Sequence, residues 1–246
     1  MTNNPDNIYF SIIIPAFNEE RVLPDCILAA KAQAGNFNKE IIVVDNNSID
    51  NTSAVAKSLG VKVIFEAKKG VSQARKIGTE EAKGKFIVQI DADSRLPKNY
   101  LKEVDRRFKK DKKLVCLGGQ MYFYDGVWWQ IFFRPFVHYF FWIFTFIISL
   151  GKIGPMGNNM VFKKEVYNKT NGFDPDLKLG EDVDLSKKLS RFGKIRLDMS
   201  LKSYVSARRF KWNKDLWIYF LNFMFIYILG HPYQPELKEP DKNVYS

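Results

Sequence analysis

Through the first half of the chain, short apolar runs alternate with stretches whose apolar positions recur at helical spacing. Tyr9–Pro15 predicts a strand closed by its proline. Glu40–Asp45 predicts a second, apolar through its Ile-Ile-Val-Val centre, as a parallel strand covered on both faces requires. Between them Val22, Leu23, Cys26, Ile27 and Ala30 predict a helix over Glu20–Ala34. Asp50, followed by Ser53 and Ala54, is placed to cap a helix that runs to Leu59 and ends at Gly60. Val61–Phe65 is the next strand, Val71–Ala82 the next helix and Phe86–Asp91 a fourth strand, after which Pro97 opens a helix to about Lys109. This alternation predicts an α/β fold built on a mostly parallel, doubly wound sheet. Further on, Leu114–Tyr124 reads as one or two strands and Met160–Phe162 as a short one. A helix follows Glu181, with Leu185, Leu189 and Phe192 on one face. No repeat and no Gly/Ser- or Pro-rich linker divides the chain. Residues 1–210 are therefore expected to form one catalytic-type domain with an aromatic insertion at 127–150, and residues 211–246 a hydrophobic helix and tail.

In such sheets ligands bind beyond the carboxyl ends of the strands, so the residues there decide the chemistry. Pro15-Ala16-Phe17-Asn18-Glu19-Glu20 follows the first strand and Asp45-Asn46-Asn47-Ser48 closes the second. Gln73-Ala74-Arg75 lies early in the third helix, and Asp91-Ala92-Asp93-Ser94 follows the fourth strand. Each cluster alone is ordinary turn and cap chemistry. Their register with successive strand ends is what points to a site. Asp91 and Asp93, two residues apart in an expected extended segment, project to one side and present hard oxygens suited to Mg²⁺ or Mn²⁺ carrying a diphosphate. The other reading of that pair is an acidic turn capping the next helix. Glu181, Asp182 and Asp184 are favoured by the helix dipole in a first turn, or one of them is a general base whose pKa is raised by crowding.

Pro-Ala-Phe-Asn-Glu-Glu, Val-Val-Asp-Asn-Asn-Ser-x-Asp, Gln-Ala-Arg, Asp-Ala-Asp-Ser and Gly-Glu-Asp-Val-Asp-Leu, in this order over residues 9–210, resemble the family 2 glycosyltransferases of the GT-A fold. The resemblance implies transfer of a sugar from a nucleotide-diphosphate donor, commonly with Mg²⁺ or Mn²⁺, and with inversion at the anomeric carbon. Pro15, Ala16 and Glu19 then correspond to the loop that holds the nucleotide, Asp45 to the acid that reads base or ribose, and Arg75 to a basic residue near the base. Lys76 stands where the family's Ala-Arg-Asn has asparagine, so that contact is missing here. Asp91 and Asp93 correspond to the metal and ribose pair, Asp93 the more direct metal ligand. Glu181 and Asp182 correspond to the acidic pair, with Asp182 the base. Arg208 and Arg209 resemble a basic element that folds over the donor diphosphate. UDP is the family's commonest donor nucleotide, and GDP stays open. Two alternatives stand beside a transfer to a hydroxyl: synthesis of a lipid-phosphate sugar donor, and a non-catalytic subunit that binds sugar nucleotides.

Composition changes the acceptor side of this picture. Lys and Arg exceed Asp and Glu by 38 to 27, a net charge of +11, and aromatics reach 15% of 246 residues. That content excludes a disordered chain, and two cysteines exclude a disulfide scaffold. The aromatics gather in Val127–Leu150 and Trp212–Leu229, the second preceded by Arg208, Arg209, Lys211 and Lys214. Both stretches fall at or just below the length of a membrane span, about 20 apolar residues, and both are rich in the rings that settle at headgroups. In-plane helices on an anionic leaflet are therefore expected, with packing on the catalytic domain or a homodimer interface as the alternative. Met1–Asn7 has no signal-peptide pattern, so a cytoplasmic setting is expected. With the aromatic stretches, the expectation is a protein at the cytoplasmic face of the cell membrane acting on a lipid-linked or glycan acceptor of the envelope. No nucleic-acid-binding motif accompanies the charge. Of the two histidines, His138 reads as structural or interfacial, and His231 leaves open a metal or phosphate contact.

Overall fold

The structure, a computed structural model, describes residues 7–148, 157–177 and 180–208. Its first half alternates β1 (Phe10–Ala16), α1 (Leu23–Lys31), β2 (Lys39–Asp45), α2 (Thr52–Ser58), β3 (Lys62–Phe65), α3 (Val71–Glu80), β4 (Phe86–Gln89) and α4 (Tyr100–Lys110). Then follow β5 (Leu114–Phe123), α5 (Trp128–Ile148), a 3-10 turn at Gly157–Asn159, β6 (Met160–Lys163), α6 (Lys164–Tyr167), α7 (Glu181–Leu189) and β7 (Lys194–Val205). The strands make one seven-stranded sheet in the order β3-β2-β1-β4-β6-β5-β7. Pairing is parallel except at β6, which runs antiparallel to both β4 and β5.

The apolar centres of β1 and β2 sit where their pattern requires. On β1, Phe10, Ile12 and Ile14 face a core formed with Leu23 and Ile27 of α1 and Leu101, Val104 and Phe108 of α4. Ile13 points to the other side, where Val44, Ala74, Phe162, Phe173, Leu185 and Leu189 form a second core. A two-residue side-chain period feeding two apolar layers is what an unbroken apolar strand means physically. Cys26 and Cys116 are buried free thiols, and Cys26 lies in the first core as its helical spacing predicted.

α3 and α7 begin at Val71 and Glu181 as expected, whereas α1 and α4 start later than the pattern suggested, because the preceding residues are spent on turns. The Glu19 carbonyl accepts from the Val22 and Leu23 amides, and α1 begins only there. Pro97 does not open α4. Its carbonyl accepts from the Tyr100 amide at 2.9 Å, and the helix starts at Tyr100. Asp50 does hold the start of α2, accepting from the Thr52 amide at 2.9 Å, although Asn51 occupies the N-cap position. Leu114–Phe123 is a single strand. The twelve-residue β7 was not anticipated: it lies at the sheet edge, and its sequence mixes Lys, Arg, Asp and Ser with a few apolar residues.

β7 carries an irregularity that only glycine can face. Its register with β5 jumps from Gly119↔Asp198 to Gln120↔Lys202. The Leu201 carbonyl is thereby pushed to within 1.7 Å of where a Cβ on Gly119 would stand. Gly119→Ala is expected to destabilise the protein by about 3 kcal/mol, since backbone has to shift to admit the methyl group. Urea denaturation measures this directly, and an unchanged midpoint would contradict it.

α5 carries Pro135 inside its 21 residues, and the Pro135 carbonyl accepts from Gln120 Nε2 at 2.7 Å, tying the helix to β5. Trp128, Phe132, Phe136 and Phe140 follow one another at i, i+4 on a single stripe, each at least half exposed. Among the described residues, no helix is long and apolar enough to cross a membrane. The stretch Trp212–Leu229, the tail to 246, Arg209 and His231 lie outside the described residues.

Candidate active site

Strand polarity brings the polar clusters to one edge. β1 and β2 end level with each other, Ala16 opposite Asp45, and Pro15 one step inside opposite Val44. The loops beyond are laced together. The Asn46 amide donates to the Ala16 carbonyl at 2.8 Å, the Asn18 amide to Ser48 Oγ at 3.0 Å, and the Ile49 amide to Asn18 Oδ1 at 2.9 Å. Asn18 and Asn47 adopt φ of 55° and 66°, a left-handed conformation that asparagine tolerates better than most residues. Buried Asp45 accepts from the Ser48 amide at 3.1 Å, which fixes its carboxylate at the strand exit. Asn46 was not singled out in the sequence, yet it organises the neighbouring loop. Its Nδ2 donates to the Lys68 carbonyl at 2.7 Å and its Oδ1 accepts from the Gly70 amide at 2.7 Å, immediately before α3.

β4 stops at Gln89, so Asp91 and Asp93 do not alternate on a strand as expected. They stand in a turn closed by the Ser94 amide donating to the Asp91 carbonyl at 3.0 Å. Each aspartate meets a different arginine. Arg75 Nη2 donates to Asp91 Oδ1 at 2.7 Å, and its Nε lies 3.4 Å from Glu181 Oε1. Arg208 pairs with buried Glu19 and lies 3.4 Å from Asp93 Oδ2. The segment bearing Arg208 is anchored by Asp125, whose carboxylate accepts from Ser206 Oγ at 2.7 Å and from the Ala207 amide. Nothing in the sequence distinguished Asp125 from any other loop acid. Cys26 Sγ donates to the Asp91 carbonyl at 3.4 Å beneath this cluster. Burial pushes that thiol strongly up, and the charges of Asp93, Asp91 and Glu19 add to the effect, so it stays protonated.

Glu181 and Asp182 open α7 after Gly180, whose φ of 81° is the left-handed turn glycine takes freely. Glu181 is buried, and Asp182 is half-buried with its Oδ1 accepting from the Val183 amide at 2.8 Å. Burial, then the charge of Asp182, raise the Glu181 carboxyl to about 7, against the lowering effect of Arg75. A carboxyl raised in the fold favours its protonated form there. The stability this contributes is complete below the unfolded value near pH 4.5 and is lost as pH rises through 7. Glu181→Gln is therefore expected to stabilise the protein at pH 8, by on the order of 2 kcal/mol, and to do little at pH 4.5. Denaturant titrations at both pH values check the difference, and an equal effect at both would contradict it.

Among the described residues, no three His, Cys, Asp or Glu side chains are grouped to enclose a metal ion. Asp91 and Asp93 can supply two carboxylates from one turn. That set fits a Mg²⁺ or Mn²⁺ ion, which commonly takes one or two protein carboxylates and completes its shell with phosphate oxygens and water. It does not fit a closed structural metal site.

Comparison with known proteins decides the family, since residues 11–170 match glycosyl transferase family 2. The chain belongs to that family. Among curated relatives, the undecaprenyl-phosphate 4-deoxy-4-formamido-L-arabinose transferase of Shewanella sediminis is 29% identical over 106 residues, 39% of this chain and 32% of that protein. The family 2 chain spans less than half the length of the curated relatives it matches. Its fold is shared with the mannosyltransferase PcManGT of Pyrobaculum calidifontis, solved with GDP-Man and Mn²⁺. That match has a TM-score of 0.72 at 16% identity and covers 91% of this chain and 64% of the other. S. aureus TarS 1–349, solved with UDP-GlcNAc, aligns with a TM-score of 0.61 at 20% identity over 81% of this chain and 58% of the other. The GT-A type α/β architecture expected of a family 2 glycosyltransferase is thus present.

Proposed function

We propose that this family 2 glycosyltransferase moves a sugar, with inversion, from a nucleotide-diphosphate donor to a hydroxyl of a lipid-linked or glycan acceptor at the cytoplasmic face of the membrane. UDP is the first candidate nucleotide. The observation that carries this reading is the convergence of Glu19, Asp91, Asp93, Glu181, Arg75 and Arg208 at one edge of the sheet, with Asp182 beside them at the start of α7. In this reading Pro15, Ala16, Glu19 and Asp45 border the nucleotide, and Asp91 and Asp93 hold Mg²⁺ or Mn²⁺. That ion would neutralise charge gathering on the departing diphosphate. Arg208, and Arg209 beyond it, would complete the diphosphate contacts, a guanidinium fork matching phosphate oxygens. Asp182, less enclosed than Glu181, takes the proton of the acceptor hydroxyl as that oxygen attacks the anomeric carbon from the side opposite the nucleotide. No covalent intermediate on the protein is needed.

Calorimetry with a panel of UDP-, GDP- and other sugar nucleotides, with and without Mn²⁺, tests the reading. One of them should bind in a metal-dependent way and be slowly hydrolysed. Metal-dependent binding of none would sink it. The undecaprenyl-phosphate transferase among the relatives favours a second reading, in which the acceptor is a lipid phosphate and the product a lipid-phosphate sugar.

The exposed aromatic stripe of α5 supports the membrane location, because rings of this kind settle at the headgroup boundary, and Lys211 and Lys214 add the positive charge that suits an anionic leaflet. Binding to anionic liposomes at low salt is expected, and replacing Phe132, Phe136 and Phe140 together by serine should weaken it roughly tenfold. Sedimentation with vesicles measures this. Equal binding by the triple variant would remove α5 from the contact.

A further inference from the structure

We infer that Arg75 is a positioning residue that joins the Asp91 turn to the acidic start of α7, and does not itself touch the nucleotide. The inference rests on the proposed function above and deepens it. Family resemblance suggested a contact near the base, but the side chain is only 4% exposed, and its guanidinium is held between Asp91 at 2.7 Å and Glu181 at 3.4 Å. A group enclosed in this way has no open face for a nucleotide base.

The sequence around Arg75 explains why it reaches so deep. Gly78 lies three residues on, on the same face of α3, and a Cβ there would come within 2.5 Å of Ile13 and 2.9 Å of Val44. Lacking one, α3 settles directly onto β1 and β2, with Ala74, Arg75 and Thr79 buried beneath it. The helix is then pinned to β4: Thr79 Oγ1 donates to the Arg75 carbonyl at 2.7 Å and accepts from Gln89 Nε2 at 2.8 Å. Gln89 is the last residue of β4, two before Asp91. Arg75 therefore enters the site from a fixed base, and a planar fork can face two carboxylates at once where an ammonium serves one. Without it, two carboxylates from different elements would confront each other in a partly dry space, and repulsion would drive them apart or protonate one. The arginine lets the turn that would hold the metal and the helix that carries Asp182 keep one mutual placement.

The test compares wild type, Arg75→Lys, Arg75→Gln, Glu181→Gln and the Arg75→Gln/Glu181→Gln double variant. UDP is the probe, or GDP if the donor panel selects it. In EDTA, nucleotide affinity of Arg75→Gln should stay within about threefold of wild type, since no direct contact is lost. The gain in affinity on adding Mn²⁺ should shrink at least tenfold, and kcat should fall about a hundredfold with donor KM changed much less. Arg75→Lys should lose about tenfold in kcat, keeping the charge without the fork. A large loss of metal-free nucleotide affinity would overturn the inference in favour of direct contact, and a lysine variant equal to wild type would overturn the need for a fork. If Arg75→Gln fails to fold, the lysine variant carries the test. Thermal unfolding gives a readout independent of turnover: Arg75→Gln should cost fewer degrees in the Glu181→Gln background than in wild type, and equal costs would overturn the bridge. Wild-type protein that binds no sugar nucleotide would instead sink the proposed function, with the unfolding comparison still reporting on the bridge.

Discussion

Asp182→Asn is expected to lower kcat about a thousandfold, with donor KM within a few-fold of wild type. General-base catalysis by a placed carboxylate contributes roughly 10²–10⁴ in rate, and an amide of the same shape cannot accept the proton. Donor binding should survive, because Asp182 stands at the start of α7 with its carboxylate on the Val183 amide, and asparagine of the same shape can keep that hydrogen bond. Steady-state kinetics with the donor chosen by the nucleotide panel gives the split. The same variant separates the two acceptor readings. A hydroxyl acceptor has to lose its proton, whereas a lipid phosphate attacks already ionised. An Asn variant that keeps most of its activity would therefore move the assignment to lipid-phosphate sugar synthesis.

Asp93→Asn is expected to abolish the Mn²⁺ dependence of nucleotide binding and to reduce kcat/KM by about 10²–10³. The substitution removes half of the carboxylate pair offered by the Asp91–Ser94 turn, and no third acid is grouped there among the described residues to replace it. Asp93 also faces Arg208, so the neutral variant weakens one hold on the segment that follows β7. Titration calorimetry of nucleotide with and without Mn²⁺ checks the first effect, and full metal dependence in the variant would exclude Asp93 as a ligand.

What the sequence made legible follows from which forces act locally. β1 and β2 are buried on both faces, so their apolar runs needed no context to be seen. The starts of α1 and α4 were misplaced because the Glu19 and Pro97 carbonyls close turns first, a matter of backbone hydrogen bonds that side-chain periodicity does not record. β7 escaped notice because an edge strand with polar residues and a register jump has no clean two-residue alternation. In the site, the acids and arginines stood out by type and by position after strands. Their pairing did not. That Asp91 faces Arg75 and Asp93 faces Arg208 depends on how closely α3 lies on the sheet and on where Asp125 anchors the chain after β7. Both are contacts between residues far apart in sequence. Arg75 shows the consequence: its residue type was legible as functional, while its place between Asp91 and Glu181 was not.

Arg208 lies against Glu19 and Asp93, two acids with little access to water. Buried carboxylates without a counter-charge would draw protons or drift apart, and restoring them would add to the work of each reaction cycle. A tethered guanidinium removes that work in advance. It sits three residues beyond the end of β7, on a segment that Asp125 ties down, so the counter-charge is part of the chain itself. Glu19 and Asp93 are thereby balanced by a cation from the same chain.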